Sequence, residues 1–224
     1  MPGERPNTII VAVDGPAAAG KTTTCLELAK KFDLEYLESG RTYRILAFEA
    51  LERGVAVDNQ PAVVELCDDL IEESRRSSLL ATDRYTGQDL RSNSVTTTVS
   101  AVAKIGELRD KVTDLIHEWA GSQTKCVVEG RDIGTVVFPA AQVKFYLTAE
   151  PEVRARRRVS QEKQGRYEDV LKDVLRRDEA DMSRAVAPLV PAEDAVEIDT
   201  TSLTIGQVVE RMVSVCRQRG VTIS

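Results

Sequence analysis

Histidine is nearly missing from this chain. The single one, His117, sits in the helix-like stretch DLIHEWA. One imidazole excludes a metal centre built from histidines, and it reads as a packed or exposed helix residue rather than a catalytic base. Surplus positive charge is missing as well. The chain has 30 Lys and Arg against 36 Asp and Glu, a formal net charge of −6. A non-specific binder of nucleic acid polymers needs the reverse balance, because it must displace counterions from phosphates. An anion site here has to be a local cluster of basic groups. The four cysteines, Cys25, Cys67, Cys126 and Cys216, fall at no metal-ligand spacing. They read as free thiols in a reducing compartment. No apolar run approaches the ~18 residues of a membrane span, and MPGERPN lacks the apolar stretch of a signal peptide. The expected location is the cytoplasm. Internal repeats and low-complexity tracts are absent.

What is present suits an ordinary globular protein, with 42% hydrophobic and 29% charged residues over 224 positions. That length predicts one domain with a smaller insert. Strand-like apolar runs occur at 8–13 (TIIVAV), 34–38, 125–130 (KCVVEG), 143–147 (VKFYL) and 195–199. Helical patterns lie between them at 21–31, 41–53, 60–75, 105–120, 150–163, 166–182 and 204–218. Strands alternating with helices predict an α/β fold in three layers, with a central, mainly parallel five-stranded sheet covered on both faces. Ser202 or Thr204 can cap the last helix. Residues 76–98 are polar and turn-rich, and YTGQ can close a small hairpin. The core is expected at 1–59 and 121–224, with 60–120 as an inserted subdomain. The charged stretch 157–168, with Gly165 as a breaker, reads as a lid between two helices.

The most specific stretch is VAVDGPAAAGKTTT, Val11 to Thr24. Gly15-x-x-x-x-Gly20-Lys21-Thr22 fits the phosphate-loop pattern and stands between a strand and a helix, as that pattern requires. Backbone amides can wrap a triphosphate only where side chains stay small, which Ala17, Ala18 and Ala19 allow, with Pro16 in the same loop. Gly15 and Gly20 can take backbone angles that other residues avoid. The helix start, running from Lys21 into Thr22 and Thr23, points its partial positive charge at the phosphates. The Lys21 ammonium can reach the β and γ phosphates, and the Thr22 hydroxyl can ligate Mg²⁺.

Four further clusters carry charge. Val170, Val174, Arg177, Asp181 and Arg184 form one helical face that begins apolar and ends charged. It is either a surface ion pair or a face entering an anion cleft. Glu129, Arg131 and Asp132 follow a buried strand, where open parallel sheets bind ligands. Ser39, Gly40, Tyr43 and Arg44 open a helix, either as a plain cap or as an anion seat. Arg154, Arg157 and Arg158 share one face, either solvated or brought onto a transferring phosphate by a lid.

DGPAAAGKTT, SGRTYR, VVEGRDIGTVVFP, RAVAPLVPAEDA and IDTTSLTI together resemble the bacterial cytidylate kinases, a family of P-loop nucleoside-monophosphate kinases. The stretches occur in the family's order over nearly the whole chain. The resemblance implies a five-stranded core, a lid and an inserted monophosphate-binding subdomain. It implies transfer of the γ-phosphoryl of ATP to CMP or dCMP with Mg²⁺, by a monomer. Gly15 to Thr23 would hold ATP. Lys21, Arg131, Arg157, Arg158 and Arg177 would meet the transferring phosphoryl, with Lys163 in the lid. Ser39, Tyr43, Arg44 and Arg131 would meet the monophosphate; Ser100, Arg109 and Asp132 the base; Arg177 and Asp181 the ribose and phosphate, with Arg184 lining the same cleft. A carboxylate accepts from the cytosine amino group while arginine and serine donate to its acceptors, and uracil reverses that polarity. Glu38 stands where the family has an aspartate and Arg41 where it has a small residue. Asp14 and Glu129 are candidates for holding metal-bound water. Two rival readings are a P-loop kinase of another small acceptor and a non-catalytic ATP-binding switch.

Overall fold

The computed structural model describes residues 8–73, 79, 84–162 and 166–222. Five strands form one parallel sheet in the order β2-β3-β1-β4-β5. They are β1 (Ile9–Asp14), β2 (Glu35–Glu38), β3 (Lys125–Glu129), β4 (Val143–Thr148) and β5 (Val196–Asp199). β1 is central. Val13 pairs with Glu129 on one side and Phe145 on the other. Buried on both faces, β1, β3 and β4 read as continuous apolar runs, as interior parallel strands must.

The helices are α1 (Lys21–Phe32), α2 (Ser39–Glu52), α3 (Gln60–Glu73), α4 (Gly87–Leu90), α5 (Asn93–Val102), α6 (Gly106–Gly121), α7 (Pro151–Glu162), α8 (Tyr167–Met182) and α9 (Ile205–Gln218). The chain divides into two compact units. One holds Ile9–Tyr36 and the described residues from Lys125 onward; the other holds Thr8 and the described residues of Leu37–Thr124.

In the sheet unit, Val11, Val13, Phe145 and Leu147 pack with Cys25, Leu28 and Phe32 of α1 and with Met212 and Cys216 of α9. Thr204 caps α9 in a reciprocal pair with Gln207. A smaller core of Ala155, Val170 and Val174 joins α7 to α8. In the helical unit, α2 packs on α5 and α3 packs on α6. All four cysteines are buried and free. Among the described residues no helix is long and apolar enough to cross a membrane.

Two local expectations need correction, and one feature had no local signal. YTGQ closes no hairpin: Thr86 caps α4 by exchanging hydrogen bonds with Asp89, and that capping pair outweighs the turn signal. The end of the turn-rich stretch 76–98 is instead helical, from Asn93 onward. Ser92 accepts from the Val95 amide, and burial of Val95 and Val102 overrides the poor helix propensity of its β-branched residues. Beyond β3 stands an unforeseen wide helical turn, Ile133–Val137. Val137 N–H reaches Asp132 O at 3.1 Å and Phe138 N–H reaches Ile133 O at 2.6 Å, both spanning five residues. Such turns are rare and gather at functional sites. Lys163 and Gly165 lie outside the described residues.

Candidate active site

The loop between β1 and α1 is built by removing obstacles. Gly15 has φ 144°, and a Cβ there would sit 2.0 Å from the Leu147 carbonyl oxygen. Ala18 and Gly20 also have positive φ, so the backbone turns three times within six residues. Its carbonyls are held by the protein. Lys21 Nζ donates to Gly15 O at 2.8 Å and to Pro16 O at 2.9 Å. Arg154 Nη1 donates to Ala17 O at 3.3 Å, and Thr200 Oγ1 to Ala19 O at 3.0 Å. With the carbonyls engaged, the loop's amides and the start of α1 are what remains to meet an anion.

Lys21 is only 6% exposed. Burial, together with the charge of Arg131, pushes its pKa down to about 7. Thr22 is half-buried and Thr23 exposed at the first turn of α1. Pro16 and Ala19 are buried; Ala17 and Ala18 are partly exposed.

The second loop follows β3. The Asp14 carboxylate, at the end of β1, accepts from the amides of Ile133 at 2.8 Å and Gly134 at 2.7 Å. Burial pushes Asp14 up to about 6 despite these bonds. Glu129 accepts from the Tyr36 hydroxyl. Both carboxylates considered for metal-bound water thus have protein partners. Asp132 is buried just before the wide turn. Arg131 Nε donates to Asp181 Oδ2 at 2.8 Å, and Arg184 Nη2 donates to Asp181 Oδ1. Arg177, also on α8, is buried with Nε 3.4 Å from Asp173 Oδ2. Burial would raise Asp181, but Arg131, Arg184 and Arg177 outweigh it and hold the carboxyl below its ordinary range.

The arginines of α7 part company. Arg157 donates through Nη1 to Thr200 Oγ1 at 2.9 Å and through Nη2 to Thr200 O at 2.6 Å. Arg158 Nη1 donates to Asp173 Oδ2 at 2.5 Å. Arg154 is buried inside the sheet unit. None of these partners was visible in the local spacing.

In the helical unit, Ser39 is buried at the first turn of α2. Arg44 Nη1 donates to Leu90 O at 3.2 Å, and Arg41 Nη2 to Tyr85 O at 3.0 Å. Arg109 is buried. It donates to Ala103 O at 3.2 Å, and its guanidinium carbon lies 5.4 Å from the centre of the Tyr43 ring. Ser100 is half-buried on α5. Tyr85 donates to the buried Glu49 at 2.7 Å, a support that sequence reasoning missed because the two residues lie 36 positions apart.

Comparison with known proteins agrees with this arrangement. A cytidylate kinase family model matches residues 11–218. The chain is 38% identical to a cytidylate kinase of Clostridioides difficile, over 92% of this chain and 97% of the other. It is 41% identical to one from Corynebacterium diphtheriae, over 92% and 93%. In three dimensions it resembles the TT1252 protein of Thermus thermophilus, with a TM-score of 0.51 at 18% identity, covering 96% of this chain and 98% of that one. That last likeness concerns the fold alone. A glycine loop backed by engaged carbonyls, a charged turn after β3 and a match running almost end to end make this chain a member of the cytidylate kinase family.

Proposed function

We propose that the enzyme moves the γ-phosphoryl group of ATP to CMP or dCMP, giving ADP and CDP or dCDP. Its family makes it a phosphotransferase. The observation that carries the reading is found within the sheet unit. One loop offers amides and Lys21 to a polyphosphate, while Arg131, Arg177 and Arg184 gather with Asp181 on other elements of the same unit. A nucleotide switch has no use for that second basic cluster.

The chemistry follows from charge. A CMP phosphate oxygen is already anionic, so no strong general base is needed; the difficulty is to bring two anions together. Lys21 would move from its loop carbonyls onto the β and γ phosphates, and Arg131 and Arg177 onto the transferring group, with Arg157 and Arg158 arriving from α7. Ser39, Tyr43 and Arg44 would hold the monophosphate, and Ser100, Arg109 and Asp132 the cytosine. Arg177 and Asp181 would hold the ribose and phosphate, with Arg184 lining the same cleft.

Mg²⁺ fits this site through one protein oxygen, the Thr22 hydroxyl. Among the described residues no three His, Cys, Asp or Glu groups gather to hold a metal. That suits an ion carried in by phosphates and water. When bound, it would supply positive charge to offset that of the phosphates. We place the enzyme in the cytoplasm as a monomer acting on free nucleotides.

Release of ADP with and without CMP is the deciding measurement. Turnover should depend on CMP or dCMP, and UMP should be a much poorer acceptor, because it leaves buried hydrogen-bonding groups unpaired. Comparable kcat/KM for UMP, or ADP release indifferent to acceptor, overturns the reading.

A further inference from the structure

Arg154 is 3% exposed. It stands in the first turn of α7, and its donors reach three separate pieces of chain. Nε donates to Ala149 O at 2.8 Å, beyond β4. Nη1 donates to Ala17 O at 3.3 Å, in the phosphate loop. Nη1 and Nη2 together grip the two oxygens of Asp178 on α8, at 3.0 and 2.5 Å. Asp178 directly follows Arg177 and precedes Asp181 by three residues. The same side chain is therefore bonded to the loop assigned to ATP and to the helix carrying the charged face assigned to the acceptor.

Stability alone is a weak reason for this arrangement. A buried ion pair loses much of its Coulomb energy to desolvation, and apolar groups of the same shape often serve as well. What a two-pronged pair supplies is geometry: both rotation and separation are set at once. We propose that Arg154, fixed by Asp178, is a positioning residue for phosphoryl transfer. It sets the height and rotation of α8, and so of Arg177 and Asp181, against the phosphate loop. It differs from Arg157, which is bonded to Thr200, and from Arg158, which is bonded to Asp173. The proposal rests on the reading that the loop holds ATP and the α8 face holds CMP. Disturbing the spacing between two otherwise intact half-sites lowers the rate of reaction more than the binding of either partner.

The test uses the full chain as wild type, Asp178→Asn and Arg154→Lys. Wild-type ADP release that depends on CMP checks the underlying reading first; its absence overturns that reading and this inference with it. Given such turnover, both variants should lose about 10-fold in kcat, measured well below their Tm. The Kd of ATP alone and of CMP alone should each stay within about threefold by calorimetry. Lysine keeps the charge but cannot hold two acceptors in a plane, so Arg154→Lys carries the test if Asp178→Asn does not fold. A lowered Tm with kcat unchanged in either variant reduces the contact to a structural clamp. A fall in nucleotide affinity that accounts for the whole rate loss also refutes the proposal.

Discussion

The loops after β1 and β3 leave neighbouring parallel strands, yet they are built in opposite senses. After β1, protein donors hold the carbonyls of Gly15, Pro16, Ala17 and Ala19. After β3, a protein acceptor holds the amides: Asp14 takes those of Ile133 and Gly134. In the proposed function, the first loop would turn its backbone donors to a ligand. The second spends two of them internally and presents side chains, with Arg131 bonded to Asp181 on α8. Two adjacent loops can thus divide the work of handling phosphate. Under the proposed function, one would hold it by backbone and helix dipole, the other by placed guanidinium groups.

This contrast can be broken at four points, in falling order of effect. Gly15→Ala drives a Cβ into the Leu147 carbonyl. It should abolish turnover and ATP binding while lowering Tm, as assay, calorimetry and thermal melting can show. Arg131→Ala removes a side chain and leaves the first loop whole. Its kcat should fall by roughly 10²-fold or more while the Kd of ATP changes little. If ATP affinity falls in step, the division of labour between the loops is wrong.

Asp14→Asn leaves one oxygen to serve two amides. A loss of about 1–3 kcal/mol in stability is expected from the stranded donor, together with about 10-fold in kcat through the displaced turn. Chemical denaturation and steady-state rates separate the two effects. The smallest effect concerns acid. Asp181 is held below its ordinary value of 3.8 by Arg131, Arg184 and Arg177, against the opposing effect of burial. Its contribution to stability is therefore present above pH 3.8 and lost as pH falls through the lower native value. Below about pH 4 the wild-type Tm should drop more steeply than that of Asp181→Asn. Parallel acid limbs in the two proteins would remove Asp181 from this account.

Much of the architecture was legible because periodicity reports burial directly. The apolar runs named all five strands, and all seven expected helices, α1, α2, α3, α6, α7, α8 and α9, lie within two residues of their expected bounds. Legibility failed where local signals conflict with tertiary demand. The Thr-rich stretch of α5 has the composition of loop or strand, and only the burial of Val95 and Val102 makes it a helix. The wide turn after Asp132 depends on Asp14, 119 and 120 positions earlier than the amides it accepts from. The i, i+3, i+4 spacing of Arg154, Arg157 and Arg158 suggested a common destination. Their partners are separate: Asp178 and Asp173 at two positions on α8, and Thr200 just after β5.

By itself, the sequence determined the strands, the phosphate loop and the residue types available for chemistry. These are set by side-chain size, by backbone angles open to glycine and by the period of burial, all of which act over a few positions. Only the tertiary structure decided which carbonyls and amides are engaged and which arginine meets which carboxylate. Those contacts join residues up to 181 positions apart. A charged group's partner is chosen by the packing of the sheet and its helices, and no local pattern records it.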